Sequence, residues 1–140
     1  MHQYTAFLAT HWGLTLLFIA AFFWVIISES KSRATKGLTV TSAQATQLMN
    51  RENAKVLDIR KDNDFIDGHI VGSKNVSAET LKTNLKSLSI KPDQAVILVC
   101  YRGQSTLPLV THMRKQGYVK TVALAGGVQG WQQAELPLVK

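Results

Sequence analysis

All 16 Lys/Arg and all 9 Asp/Glu of this 140-residue chain lie beyond residue 28. No other feature restricts the fold so strongly. The first part lacks the charges that keep a protein surface in water, and the remainder has the size of one ordinary domain with a single core. Trp12 to Ile27 reads WGLTLLFIAAFFWVII; extended back to Phe7 it is an uncharged stretch of 21 residues. As a helix that stretch measures roughly 31 Å, against a hydrocarbon core about 30 Å thick. Tyr4, Trp12 and Trp24 supply the amphipathic rings favoured at headgroup depth. A cleaved signal peptide needs a basic leader, which Met1 to Thr10 does not have. An in-plane helix needs a polar stripe, also absent.

The expectation is therefore a transmembrane anchor over residues 1–28, contacting lipid through residues 7–27. A polar, basic linker follows at 29–37, and a soluble domain at 38–140. Lys31, Arg33 and Lys36 follow the span directly. Positive flanks stay cytoplasmic, so the chain is expected as a single-pass protein of the cell inner membrane with its domain facing the cytoplasm. Confinement near the bilayer also suggests a membrane-protein partner.

From Leu38 onward there are 13 Lys/Arg against 8 Asp/Glu. This excess suits anionic headgroups or small anionic substrates. No run of five basic residues and no aromatic-basic stripe is present, so a nucleic-acid partner is not expected. Cys100 is the lone cysteine, which leaves no disulfide framework and makes packing the source of stability. His2, His11, His69 and His112 are scattered without metal-ligand spacing, so neither a metal nor a cofactor is expected.

Strand-like apolar runs alternate with helix-period segments through the domain. Strands are expected at 38–40, 56–59, 95–100 and 121–125. Thr41 or Ser42 caps a helix presenting Ala45, Leu48 and Met49, and Ser77 caps one running to about Leu88. A third helix runs from about Gln104 to Gln116 with Gly117 as its stop, although Pro108 allows a start nearer Leu107. A short helix over 128–134 closes the chain. The alternation implies an α/β fold with a parallel sheet covered on both faces. AVILVC, the most apolar run, reads as its buried central strand.

Cys100 ends that strand and is followed by Tyr101, Arg102, Gly103, Gln104, Ser105 and Thr106, then a helix. In open α/β sheets ligands bind beyond the carboxyl ends of strands. A loop curling from strand to helix aims successive N–H groups inward, Gly103 provides a conformation strained in other residues, and Arg102 adds a charge. These features favour negative charge at or beside the sulfur and mark it as a nucleophile. An inert core cysteine is the bland alternative.

Here the chain resembles a family. Cys-Tyr-Arg-Gly-Gln-Ser is similar to the six-residue active-site loop of the rhodanese-like sulfurtransferases, especially the short single-domain thiosulfate:cyanide type. Asp58-Ile59-Arg60, Phe65, Gly68-His69-Ile70, Gly72-Ser73, Asn75, Gly126-Gly127, Trp131 and Leu136-Pro137 follow the family pattern in order. The anchored layout resembles bacterial inner-membrane proteins carrying one such domain. The resemblance implies a three-layer α/β/α fold with about five parallel strands. It also implies that Cys100 takes sulfane sulfur from a small anionic donor such as thiosulfate as a persulfide and passes it to cyanide or a thiol. Arg102 and Ser105 fall where donor oxygens are contacted, with Tyr101, Gly103 and Gln104 completing the binding loop. Asp58 and Arg60 are implied as an ion pair bracing the site, and His69 as a turn-stabilising residue rather than a base. Many family loops have Arg at the position of Ser105, so Arg102 is the sole cation of this loop. The related dual-specificity phosphatases place Arg where this chain has Thr106, and without a guanidinium to clamp phosphate that activity is not expected. A membrane-tethered interaction module that carries no sulfur is the alternative from another class.

Overall fold

The computed structural model describes residues 12–34 and 37–140, with the side chains of 28–34 left aside. Helix α1 spans Trp12–Ala34. Its uncharged part, residues 12–27, is roughly 24 Å long, and large side chains on all its faces are exposed, among them Trp12, Phe18 and Trp24. No helix among the described residues is long and apolar enough to cross a membrane. The expected span is thus corrected for what is described: the uncharged helix there is shorter than the hydrocarbon core. The five further residues counted toward it, Phe7 to His11, lie outside the described residues. The helix also continues past Ser28 into the expected linker. No Gly or Pro interrupts the sequence there, and Glu, Lys, Arg and Ala are good helix formers.

Residues Gly37–Lys140 form a compact unit of their own. The elements in order are β1 (Thr39–Val40), α2 (Ser42–Glu52), β2 (Lys55–Asp58), α3 (Asp62–Asp67), β3 (Lys74–Asn75), α4 (Ala78–Thr83), a 3-10 turn (Leu85–Leu88), β4 (Val96–Val99), α5 (Leu107–Lys115), β5 (Thr121–Leu124) and α6 (Gly127–Gln133). The five strands form one parallel sheet in the order β1-β5-β4-β2-β3. As expected for a central strand, β4 is buried on both faces along its whole length.

Alternation along the strands divides the core in two. Leu57, Val96, Leu98 and Ala123 face a layer built from Leu81 of α4, Leu85 and Leu88 of the 3-10 turn, and Leu109, Val110 and Met113 of α5. Val56, Ile97, Val99 and Leu124 face Ala45 of α2 and Val128 and Trp131 of α6. Thr41 caps α2 with a reciprocal pair of bonds: its hydroxyl accepts from Gln44 N–H, and Gln44 Oε1 accepts from Thr41 N–H. Ser77 caps α4 in the simpler way, accepting from Thr80 N–H.

The helix expected from Ser77 to Leu88 is instead two pieces. At Asn84 the backbone leaves helical geometry (φ −141°, ψ 56°), and the tighter 3-10 turn sets Leu85 and Leu88 into the core. Helix α5 starts at Leu107 with Pro108 in its first turn, where a missing N–H does no harm.

Candidate active site

β4 delivers Cys100 to the carboxyl edge of the sheet, where the chain turns through residues 101–106 into α5. The cysteine is 6% exposed, and its Sγ accepts a hydrogen bond from Gly103 N–H at 3.0 Å. Gly103 makes that bond with φ +84°, and a Cβ built there meets Leu124 O at 2.7 Å and Gly126 N at 2.8 Å. Only glycine fits, for backbone conformation and for space together. Thr106, fully buried, donates its hydroxyl to Gly103 O at 3.0 Å and fixes the far side of the loop.

The start of α6 lies directly on this loop. Val128 N–H donates to Cys100 O at 2.9 Å and Gln129 N–H to Tyr101 O at 3.0 Å. Gly127 permits the approach: at φ +57°, a Cβ there overlaps Cys100 O and comes within 2.7 Å of Tyr101 C. Gly126-Gly127 is therefore part of the wall of the site. Tyr101, Arg102, Gln104 and Ser105 are exposed on the outer side of the loop, and the Arg102 guanidinium lies 5.9 Å from the Tyr101 ring centre.

A second group of residues braces the loop from β2. Asp58 is 1% exposed and is held by Arg60: Nη2 donates to Oδ2 at 2.8 Å, Nε to both oxygens, and the Arg60 backbone N–H to Oδ1 at 3.0 Å. Such a buried charge is tolerable only because its partner and hydrogen bonds satisfy it. Arg60 Nη2 also donates to Gly68 O at 2.7 Å, and Asn75 Nδ2 donates to Arg60 O at 2.9 Å. The β2 end, the Gly68 turn and β3 are thus tied into one unit, and Ile59 N–H joins it to Val99 O beside Cys100.

His69 lies in the same turn. Its Nδ1 is 3.0 Å from Phe65 O, and its ring stacks on Phe65 with centroids 3.9 Å apart. Its backbone forms an antiparallel bridge with Val139. None of these contacts involves Cys100. Among the described residues no group of His, Cys, Asp or Glu could hold a metal ion. Thr106, considered in the sequence only as the place where a phosphatase has Arg, and Val128 and Gln129, given no role there, all help to build the site.

Beside the loop is an open cleft of about 450 Å³, lined by Arg60, Asp64, Asp67, Tyr101, Val128 and Gln132 among others. It meets the loop through Tyr101, next in sequence to Cys100, and Val128, hydrogen-bonded to Cys100 O.

A buried sulfur at a strand end, fed by a backbone N–H from a short loop into a helix, defines a compact α/β domain built around one thiol. The family model of the Rhodanese-like domain matches residues 41–134, and the chain belongs to that family. It is 33% identical to the uncharacterized protein YibN of Escherichia coli (strain K12), over 100% of this chain and 99% of that one. It is 30% identical to the thiosulfate sulfurtransferase GlpE of Pseudoalteromonas translucida (strain TAC 125), over 68% of this chain and 89% of that protein. In fold it is similar to the human single-domain sulfurtransferase TSTD1, with a TM-score of 0.63, 21% identity, and coverage of 69% of this chain and 96% of the other.

Proposed function

We propose that this protein is a sulfurtransferase whose Cys100 carries sulfane sulfur as a persulfide. The observation that carries the reading is the Gly103 N–H aimed at Cys100 Sγ. The same cradle, beside the start of α5, suits the negative outer sulfur of a persulfide as well as a thiolate. Thiosulfate is the proposed donor: the Cys100 sulfur attacks the outer sulfur, the S–S bond of thiosulfate breaks, and sulfite leaves with the electron pair. Arg102, and Ser105 with it, are assigned to the sulfonate oxygens. Tyr101, Gly103 and Gln104 shape the pocket, and Asp58, Arg60 and His69 hold it in place. Cyanide or a thiol then takes the outer sulfur and Cys100 is restored. The 30% identity to a thiosulfate sulfurtransferase supports this chemistry.

The purified protein is expected to make thiocyanate from thiosulfate and cyanide, and Cys100→Ser to make none. After thiosulfate alone, intact mass should show one added sulfur at Cys100. A wild-type protein inactive with several donors and without the adduct would support the interaction module instead.

We propose further that residues 7–27 hold the protein on the inner membrane with the domain toward the cytoplasm. The support is a helix apolar on every described face and the basic residues that follow it. In intact spheroplasts the domain should resist added protease; digestion refutes that orientation.

A further inference from the structure

The charges of the domain are unevenly placed between the two ends of its strands. In a parallel sheet every strand starts at one edge, so residues that open a strand, or end the helix before it, share that edge. Eight of the 13 Lys/Arg beyond Gly37, but only two of the 8 Asp/Glu, belong to this amino edge. Lys55, which opens β2, donates from Nζ to Ser89 O at 2.9 Å, and Lys120, just before β5, lies 3.8 Å from Glu52 at the end of α2. Arg51 stands in the last turn of α2, and Arg114 and Lys115 in that of α5. A cleft of about 390 Å³ between the 3-10 turn and the end of α5 is lined by Lys82, Lys86, Asn84 and Gln116 among others, and by no acidic residue. Lys91 and Asp93 stand in the loop before β4. The acidic residues gather toward the other edge: Asp58 ends β2, Asp62, Asp64 and Asp67 belong to the helix that follows, and Glu79 to the first turn of α4.

Helix carbonyls ending at the amino edge account for the basic residues in the last turns of α2, α4 and α5. Lys91 and Lys120 lie in loops outside any helix. Lys82, Lys86, Lys91 and Lys115 are exposed and enter no ion pair among the described residues. Val119 adds exposed apolar surface between Tyr118 and Lys120. Gly37, where the preceding chain enters the domain, belongs to the same edge, because Arg114 Nη2 donates to its carbonyl at 2.6 Å. Residues 28–36 alone separate it from the uncharged stretch, a reach of at most roughly 30 Å.

We infer that the amino edge is a docking surface for an anionic lipid bilayer, which seats the domain with Cys100 and its loop turned toward the solvent. The inference rests on the membrane attachment through residues 7–27 proposed above, which holds this edge within reach of the lipid. Near an anionic surface each Lys or Arg strengthens attachment roughly fivefold. The attraction fades within about 10 Å at moderate salt, so only the edge nearest the bilayer profits from it. Small donors and acceptors then reach the sulfur from the aqueous side.

The test uses full-length protein in vesicles of phosphatidylcholine alone or of phosphatidylcholine with phosphatidylglycerol. An amine-reactive reagent labels the lysines, and peptide mass gives the rate at each one. Labelling of Lys82, Lys86 and Lys91 is taken relative to Lys61 and Lys140, which lie toward the other edge. Phosphatidylglycerol should lower that ratio about fivefold, and high salt should restore it. In Lys82→Glu/Lys86→Glu the lowering at Lys91 and Lys115 should be mostly lost, while thiocyanate formation stays at the wild-type level. A ratio that phosphatidylglycerol leaves unchanged overturns the inference with the anchor standing. Protection of the same lysines by RNA and not by phosphatidylglycerol assigns the edge to another polyanion and overturns it too. Failure of the protein to float with phosphatidylcholine vesicles overturns the membrane attachment itself, and this inference with it.

Discussion

Gly103→Ala tests the site most directly, because the same residue carries the loop conformation and the donor to sulfur. At φ +84° an added Cβ costs about 1 kcal/mol in backbone strain. The Cβ also lies 2.7 Å from Leu124 O and 2.8 Å from Gly126 N, backbone atoms that cannot rotate aside. Relieving that overlap costs about 1–3 kcal/mol more. The sum is about 2–4 kcal/mol, or a drop in Tm on the order of 10–25 °C for a domain of this size. Gly72→Ala is the control: φ is +74° but nothing lies within 4 Å of its Cβ, so only the strain of about 1 kcal/mol remains. Thermal unfolding by circular dichroism measures both. Because the loop must shift, the Gly103 N–H leaves Cys100 Sγ, and thiocyanate formation at a temperature where the variant is folded should fall about 100-fold. If Gly103→Ala loses no more stability than Gly72→Ala, the close packing of the loop against α6 is refuted. If it keeps full activity, the N–H has no part in the chemistry.

Arg60→Ala leaves the Asp58 carboxylate buried without its partner and should cost about 3–5 kcal/mol in urea unfolding. Arg60→Lys restores the charge without the fork and should recover only part of that. Thr106→Val keeps the volume but strands Gly103 O, so a loss of about 1–2 kcal/mol is expected, with a raised KM for thiosulfate as the loop loosens. Arg102 is exposed, so Arg102→Ala should leave unfolding free energy within about 0.5 kcal/mol of wild type while KM for thiosulfate rises several-fold. An unchanged KM removes Arg102 from donor binding.

What was legible in the sequence depended on how strongly each segment announces itself. The four main strands and the helix caps were readable because apolar period and capping side chains act locally. β3 was not: it is two residues, Lys74 and Asn75, and joins the sheet through pairing with Leu57 and Asp58 rather than through any propensity. α3 was also missed, since DNDFID has no helical stripe and none of its residues is buried. The strand order β1-β5-β4-β2-β3 is a property of the assembled sheet. At the site, Cys100 and its loop were legible because a strand, a glycine and a helix start fall in sequence. The grip of Thr106 on Gly103 O and of Val128 on Cys100 O depends on distances that no spacing encodes. The length of the proposed anchor turns on residues 7–11, which lie outside the described residues.

The bridge between His69 and Val139 has a consequence for how the protein is made. Val139 N–H donates to His69 O at 2.9 Å and His69 N–H to Val139 O at 2.8 Å, so a residue 70 positions further along the chain closes the turn that Arg60 supports. Cys100 O likewise waits for Val128. A chain still leaving the ribosome therefore presents its thiol before the walls around it exist, and acquires them only once residues 126–139 have followed. Synthesis itself keeps the loop around the sulfur unfinished until Val139 has been added, and a chain cut short near residue 125 keeps the cysteine but lacks the Val128 and Val139 contacts.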